Sequence, residues 1–373
     1  MVKHMRKIII IIAVMNFLSF GFFCNASDID VYEEQYRIFG IDELLEAVPD
    51  SAKSVEFGRE YDLNEGFSAV IAKLKQDMVR VFTGGLHTVL TIIAVSVLCG
   101  SVAIVSSSAD GKSVKTVSSF VGALAVLAVS ADNISGIMGL GKNFINEVSV
   151  FSRSLLPTVA ATEAACGMAG SAVVRANIAL LFSDILLGLI KNVFLPLTYI
   201  NIFTAVANAA AENNSLKKIC DLSASSVSFL LKVFLGVYVS YISVAGIVSS
   251  GIERSGLKTV KLAVGGIVPV VGPVIAESAE TVLSGAMMMK NLVGVFGLLV
   301  ILSAFATPFL TLIVNYFLFK LASVFAAPVI GGNVAELTER ISKSFGLILG
   351  MCASSATIIF VAVISAMRSV TFL

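Results

Sequence analysis

The sequence predicts an all-α, polytopic helical membrane protein. It has six to eight spans, an internal repeat with two re-entrant or broken helices, and a small extracytoplasmic helical N-terminal region. Three observations lead there. Of 373 residues, 57% are hydrophobic and 14% charged, whereas soluble domains hold about 45–50% apolar and about 25% charged residues. The apolar residues fall in runs of about 20, enough to cross a hydrocarbon layer about 30 Å thick. Prolines also recur at matched positions in two halves of the apolar region.

At the amino end, Lys3, Arg6 and Lys7 precede an apolar run from Ile8 to Phe23, and Cys24-Asn25-Ala26 closes it before Ser27. A basic start, an apolar stretch and a small-residue exit make residues 1–26 a signal peptide, with an uncleaved anchor as the alternative. The bulky Phe22-Phe23 pair argues against lipidation of Cys24. Residues 27–80 follow as an acidic region: Ser27 to Met78 carries thirteen acidic and five basic residues. Behind a signal peptide this stretch is expected outside the cytoplasm, with amphipathic helices over Ile38–Val48 and Leu63–Val81. It is either a solvated spacer or a partner-binding surface.

Residues 81–373 form the polytopic membrane domain. The clearest spans are Leu86–Ser106, Val117–Met138, Ala176–Leu195, Val227–Ser249, Leu292–Val314 and Phe345–Met367. Two shorter stretches, Leu197–Ala211 and Phe317–Ile330, are spans or half-spans. With the acidic region outside, the first span runs inward, and Lys112 and Lys115 then fall on the cytoplasmic side as the positive-inside rule asks. Both flanks of Val227–Ser249 are basic, so the rule gives no orientation there.

A first hairpin over 86–138 precedes two units, 150–250 and 262–367. Leu156-Pro157 opens a segment carrying Glu163, with Pro196 following 39 residues later. Val268-Pro269 opens a segment carrying Glu277 and Glu280, with Pro308 again 39 residues later, at an offset of 112. Proline lacks an N–H and clashes with the preceding turn, and Gly167, Gly170, Gly265, Gly266 and Gly272 weaken helix further. Leu155–Val173 and Leu262–Met289 are therefore expected to be broken helices or re-entrant loops. Irregular backbone at membrane depth needs shelter in protein or a water-filled cavity, so this pair points to a central site.

Ionisable side chains within or bordering the apolar runs include Asp132, Glu163, Asp184, Lys191, Lys232, Glu277, Glu280, Lys290 and Lys320. A charge at the bilayer centre costs about 2.5–3.5 kcal/mol on insertion scales, so such groups face protein or water. Asp184 and Lys191 stand two helical turns apart and share a face. Lys191, Lys290 and Lys320 read as snorkelling anchors. The candidate pathway or broken-helix residues are Pro157, Glu163, Asp184, Gly266, Pro269, Gly272, Glu277 and Glu280. For the three glutamates the readings are a polar pathway or interfacial residues at helix breaks.

No chemistry-bearing motif survives inspection. Gly111-Lys112-Ser113 ends like a phosphate-binding loop, yet Ser106 stands where its first glycine belongs. Ser215 and Lys218 have Ser-x-x-Lys spacing without a further partner. Two histidines and five scattered cysteines offer no triad, metal cluster or disulfide framework. The reading is a non-enzymatic protein with no cofactor, no metal and no nucleic acid, whose solvent is the lipid bilayer.

The run from Leu262 through Gly265-Gly266, Pro269, Gly272-Pro273, Glu277 and Glu280 to Lys290-Asn291 resembles the signature of the stage III sporulation protein AE family. The likeness extends over the signal, the acidic region, Leu156-Pro157 and the Phe194-Leu-Pro-Leu run. It departs at Pro273, where the family is expected to carry glycine or a polar residue, and at Glu277, where aspartate or a similar residue is expected. The resemblance implies a multi-pass protein of the mother-cell membrane around the forespore. It implies a non-enzymatic component of the channel, secretion or feeding complex required for endospore formation. The implied partners are the other membrane proteins of the stage III sporulation operon and a forespore membrane partner. The alternative is a self-sufficient secondary transporter with a midplane site between the two interrupted helices.

Overall fold

A computed structural model of the chain describes residues 36–57, 63–106, 111–211, 214–267, 272–330 and 332–368. It divides into two compact units, Met1–Glu43 and Leu44–Leu373. The expected signal peptide, and the acidic region as far as residue 35, lie outside the described residues. The predicted helix over Ile38–Val48 is shorter, α1 at Ile41–Glu46. It is preceded by Gly40 in the left-handed region at φ 67°, a conformation glycine adopts without the Cβ penalty.

In the second unit a 3-10 turn at Asp50–Ala52 leads to seven α-helices. They are α2 (Leu63–Ser106), α3 (Gly111–Glu163), α4 (Ala169–Leu189), α5 (Leu195–Ala211), α6 (Asn214–Ile267), α7 (Gly272–Ile330) and α8 (Gly332–Arg368). Among the described residues there is no strand. Two π-helical turns, Ala164–Met168 and Ile190–Phe194, join α3 to α4 and α4 to α5. The second of them precedes Pro196, which has no N–H to return to the turn before it, and the wider π turn absorbs that mismatch.

Helices thus run longer than the apolar runs suggest. The amphipathic stretch Leu63–Val81 and the span Leu86–Ser106 are one helix, α2. Leu197–Ala211 continues α4 through the π turn, and Phe317–Ile330 continues the Leu292–Val314 span, with Pro308 inside it, as one helix α7. Six segments are long and apolar enough to cross a membrane: Ser68–Cys99, Phe120–Met168, Gly170–Ala210, Ser215–Ser243, Ser284–Ala327 and Val334–Met367. The predicted six to eight spans are six among the described residues. At 1.5 Å per residue, the 49 residues of Phe120–Met168 measure about 74 Å, over twice the hydrocarbon thickness of about 30 Å.

Side-chain contacts fix how the helices run. Asp77 and Gly85 of α2 meet Thr307 and Leu318 of α7, so these two are parallel. Gly122 of α3 faces Val334 of α8 and Gly141 faces Ile348, so these are parallel too. Tyr316 accepts at its carbonyl from Ser342, whereas Gly294 meets Met367, which makes α7 and α8 antiparallel. The helix ends Ser106, Gly111, Ala211, Asn214, Ile330 and Gly332 consequently gather at one end of the bundle. The α3–α4 turn and the end of α8 lie at the other.

The core sits around α7 and α8, whose most apolar windows are 50% and 56% buried against 17% in α6. Glycine permits the tightest contacts. A Cβ at Gly141 would lie 2.5 Å from Ile348, and one at Gly297 would lie 2.5 Å from Leu155. Only small residues allow helices to approach so closely.

Candidate functional site

The first proline-opened segment does contain a break, but not at its proline. α3 continues through Pro157, whose ring lies on an exposed face. The break comes at Gly167, with φ 87° and ψ 12°, in the region where a Cβ would crowd the following carbonyl. Two pairings show that the chain reverses there. Arg153 of α3 meets Asp184 of α4 at 3.0 Å, and Glu163 meets Arg175 at 2.9 Å. The earlier residue of α3 meets the later residue of α4 and the later one meets the earlier, so α3 and α4 form an antiparallel hairpin.

The Glu163–Arg175 pair carries the strongest electrostatics. Glu163 is 2% exposed and Arg175 8%. Removing either charge takes the ion-pair partner from the other in the core, typically a loss of about 3–5 kcal/mol. Lys290 of α7 is also buried, at 1% exposure. Its Nζ donates to the carbonyls of Ala366 and Met367 at 3.0 Å each. Those belong to the last turn of α8, where carbonyls lack intrahelical partners and the helix dipole is negative. The anchor reading of Lys290 is therefore corrected: it does not snorkel to an interface but caps a neighbouring helix from within the core. Leu156, Glu163, Arg175, Ile242 and Ser365 line a cavity of about 20 Å³ beside the ion pair, roughly the room one water takes.

Asp184 lies on the same hairpin and forms its ion pair with Arg153 rather than with Lys191, which is exposed. The remaining expected residues are not brought to this site. Gly266 is in the last turn of α6 and Gly272 opens α7, while Pro269 lies outside the described residues. The side chains of Glu277 and Glu280 lie outside what the structure describes.

Sequence reasoning missed Arg175, whose signal was an arginine and a glutamate placed on either side of a glycine. It also missed a second ionic cluster at the opposite end. There Arg340 of α8 donates to Glu336 at 2.8 and 3.1 Å and to Asp221 of α6 at 3.1 Å. Lys217 of α6 adds a 3.1 Å contact to Glu336, and Lys320 of α7 meets Glu339 at 2.6 Å. The i,i+4 pairs Glu336–Arg340 and Glu339–Lys343 were legible in the sequence as helix-face pairs. An open cleft of about 550 Å³ lies between these side chains.

Both clusters spend their carboxylates on cations of the same chain, which suits them to holding helices in register. No group of three or more His, Cys, Asp or Glu side chains with metal-ligating geometry occurs among the described residues. None of the described cysteines forms a disulfide.

The family model described as Stage III sporulation protein AE matches residues 52–370. The Stage III sporulation protein AE of Bacillus subtilis (strain 168) is 24% identical over 254 residues, which cover 68% of this chain and 64% of that protein's length. No solved structure matches the chain.

Proposed function

Because this chain belongs to the stage III sporulation protein AE family, we propose that its part in sporulation is that of a non-enzymatic subunit of a channel or secretion complex. The complex feeds the forespore from the mother cell. In this reading the protein sits in the mother-cell membrane around the forespore. It works with the other membrane proteins of its operon and with a partner in the forespore membrane. The family match over residues 52–370 carries the reading. The internal pairing of buried charge supports it: Glu163 is engaged by Arg175, as in a scaffold.

The acidic N-terminal region is taken to face away from the cytoplasm. Supporting that, Lys112, Lys115, Lys320, Arg340 and Lys343 belong to helix segments near the other end of the bundle, where the positive-inside rule asks for them on the cytoplasmic side.

Reconstitution into liposomes tests the reading. The protein alone is expected to pass no solute, and co-expression with the operon's other membrane proteins is expected to recover it as one assembly. Solute flux by the protein alone would replace the channel subunit with a self-sufficient transporter.

A further inference from the structure

Most of the bundle's outer surface is what lipid favours. On α6, Phe229, Leu230, Val233, Val237 and Val239 are 38–64% exposed, with Lys232 the charge among them. One flank differs. Between Leu124 and Val173, Val150 is the only large hydrophobic side chain exposed among the described residues. What α3 shows there instead is Asp132, Ser135, Gly136, Lys142, Asn143 and Arg153, with Asn146 and Glu147 half-exposed. Steps of three and four residues keep these groups on one face of the helix. From Asp132 to Arg153 the face runs about 32 Å at 1.5 Å per residue, close to the hydrocarbon thickness of about 30 Å.

Projection of this stretch beyond the bilayer does not explain it. Gly141 of α3 packs against Ile348 and Cys352 of α8, Gly350 lies beside Leu231 of α6, and the Tyr238 hydroxyl donates to the Ile358 carbonyl. The polar face of α3 and the apolar face of α6 therefore stand at the same height, and moving one out of the membrane would move the other.

A second observation comes from Pro49–Phe57, most of it irregular backbone. Ser51 donates to Glu147 of α3 at 3.0 Å, Lys73 of α2 donates to the Ser51 carbonyl, and Phe57 meets Phe296 of α7 edge-on at 5.1 Å. Beside these contacts Asp50 and Lys53 form an ion pair whose side chains are 88% and 69% exposed. Such backbone and such charges belong against water or protein, not acyl chains.

We propose that the outer face of α3 from Asp132 to Arg153, with Asp184 beside it, is the wetted wall of a water-filled path entered from the side of Pro49–Phe57. The inference rests on the channel-subunit reading and names the lining surface, which is this face rather than the two proline-opened segments. One chain supplies one wall, and other subunits of the assembly complete the enclosure. The charges along it, Asp132, Lys142, Glu147, Arg153 and Asp184, alternate in sign. The wall therefore suits small hydrophilic solutes without strong preference for cations or anions.

Single cysteines in a chain whose own cysteines are replaced by alanine test the wall in sporulating cells that express the whole operon. A charged, membrane-impermeant thiol reagent is expected to label Ser135→Cys, Lys142→Cys, Asn146→Cys and Arg153→Cys at least ten times faster than Phe144→Cys in the core. The same excess is expected over Phe229→Cys and Val237→Cys on α6, with every rate normalised to protein abundance. Equal rates on the α3 and α6 faces would overturn the proposal, because both would then lie outside the bilayer or both in lipid. Slow labelling of the α3 face with disulfides forming there between chains on oxidation would overturn it too, by showing that protein packs on the face. Fast labelling of α3 with normal spore yield after blockade would keep the wetted wall and sink the channel reading.

Discussion

The two ends of the bundle use the same chemistry under opposite conditions. At the hairpin end, Glu163 and Arg175 are almost wholly buried. At the cleft end Arg340 is equally buried, at 8%, but the groups around it are open: Lys217 is 49% exposed, Lys343 58% and Asp221 61%. Exposed pairs gain little because water and salt screen them, whereas a buried charge separated from its partner has nowhere to turn. A charge change at the hairpin should therefore endanger the fold, and one on the cleft rim should barely register.

The largest predicted effect sharpens that contrast. Arg175→Met takes its 2.9 Å ion-pair partner from the buried Glu163 carboxylate and should cost about 3–5 kcal/mol, read as a fall in thermal midpoint in detergent and in membrane abundance. Adding Glu163→Gln should recover much of the loss, since the buried negative charge disappears with its counter-charge. Lys290→Met removes two charge-assisted bonds to the last carbonyls of α8 and should cost about 1–3 kcal/mol, seen as earlier hydrogen exchange at the end of that helix. Gly167→Ala places a Cβ in the left-handed region and should cost about 1–2 kcal/mol by the same thermal assay. Lys343→Ala at the cleft rim should change stability by less than about 1 kcal/mol. A midpoint shift there as large as that of Arg175→Met would erase the distinction between the two ends.

The all-α class and the count of spans were legible because they depend on apolar run length, which is local. So was the presence of a break between Leu155 and Val173. Its position was not, since Pro157 marks where helix is weakened, whereas Gly167 is where the chain can adopt a positive φ. The merging of Leu63–Val81 with Leu86–Ser106 into α2 escaped a reading based on change of composition, because helix continues across a polar-to-apolar boundary as readily as within either part. Arg175 and Arg340 escaped it for a different reason. Each is paired across helices, Arg175 with Glu163 and Arg340 with Asp221, and only the i,i+4 contact of Arg340 to Glu336 is local in sequence. Lys290 reads as an anchor by sequence, and only the end of α8, 76 residues away, makes it a cap. The polar face of α3 was present residue by residue, but its meaning requires knowing that α6 is apolar at the same height.

The hairpin claim is tested most directly by exchanging its charges. Glu163→Arg and Arg175→Glu should each sharply reduce spore yield and protein abundance, and the double exchange should restore both to near the parental level. A double variant as defective as either single one, or a single exchange without effect at normal abundance, would contradict a sheltered turn held together by these two side chains.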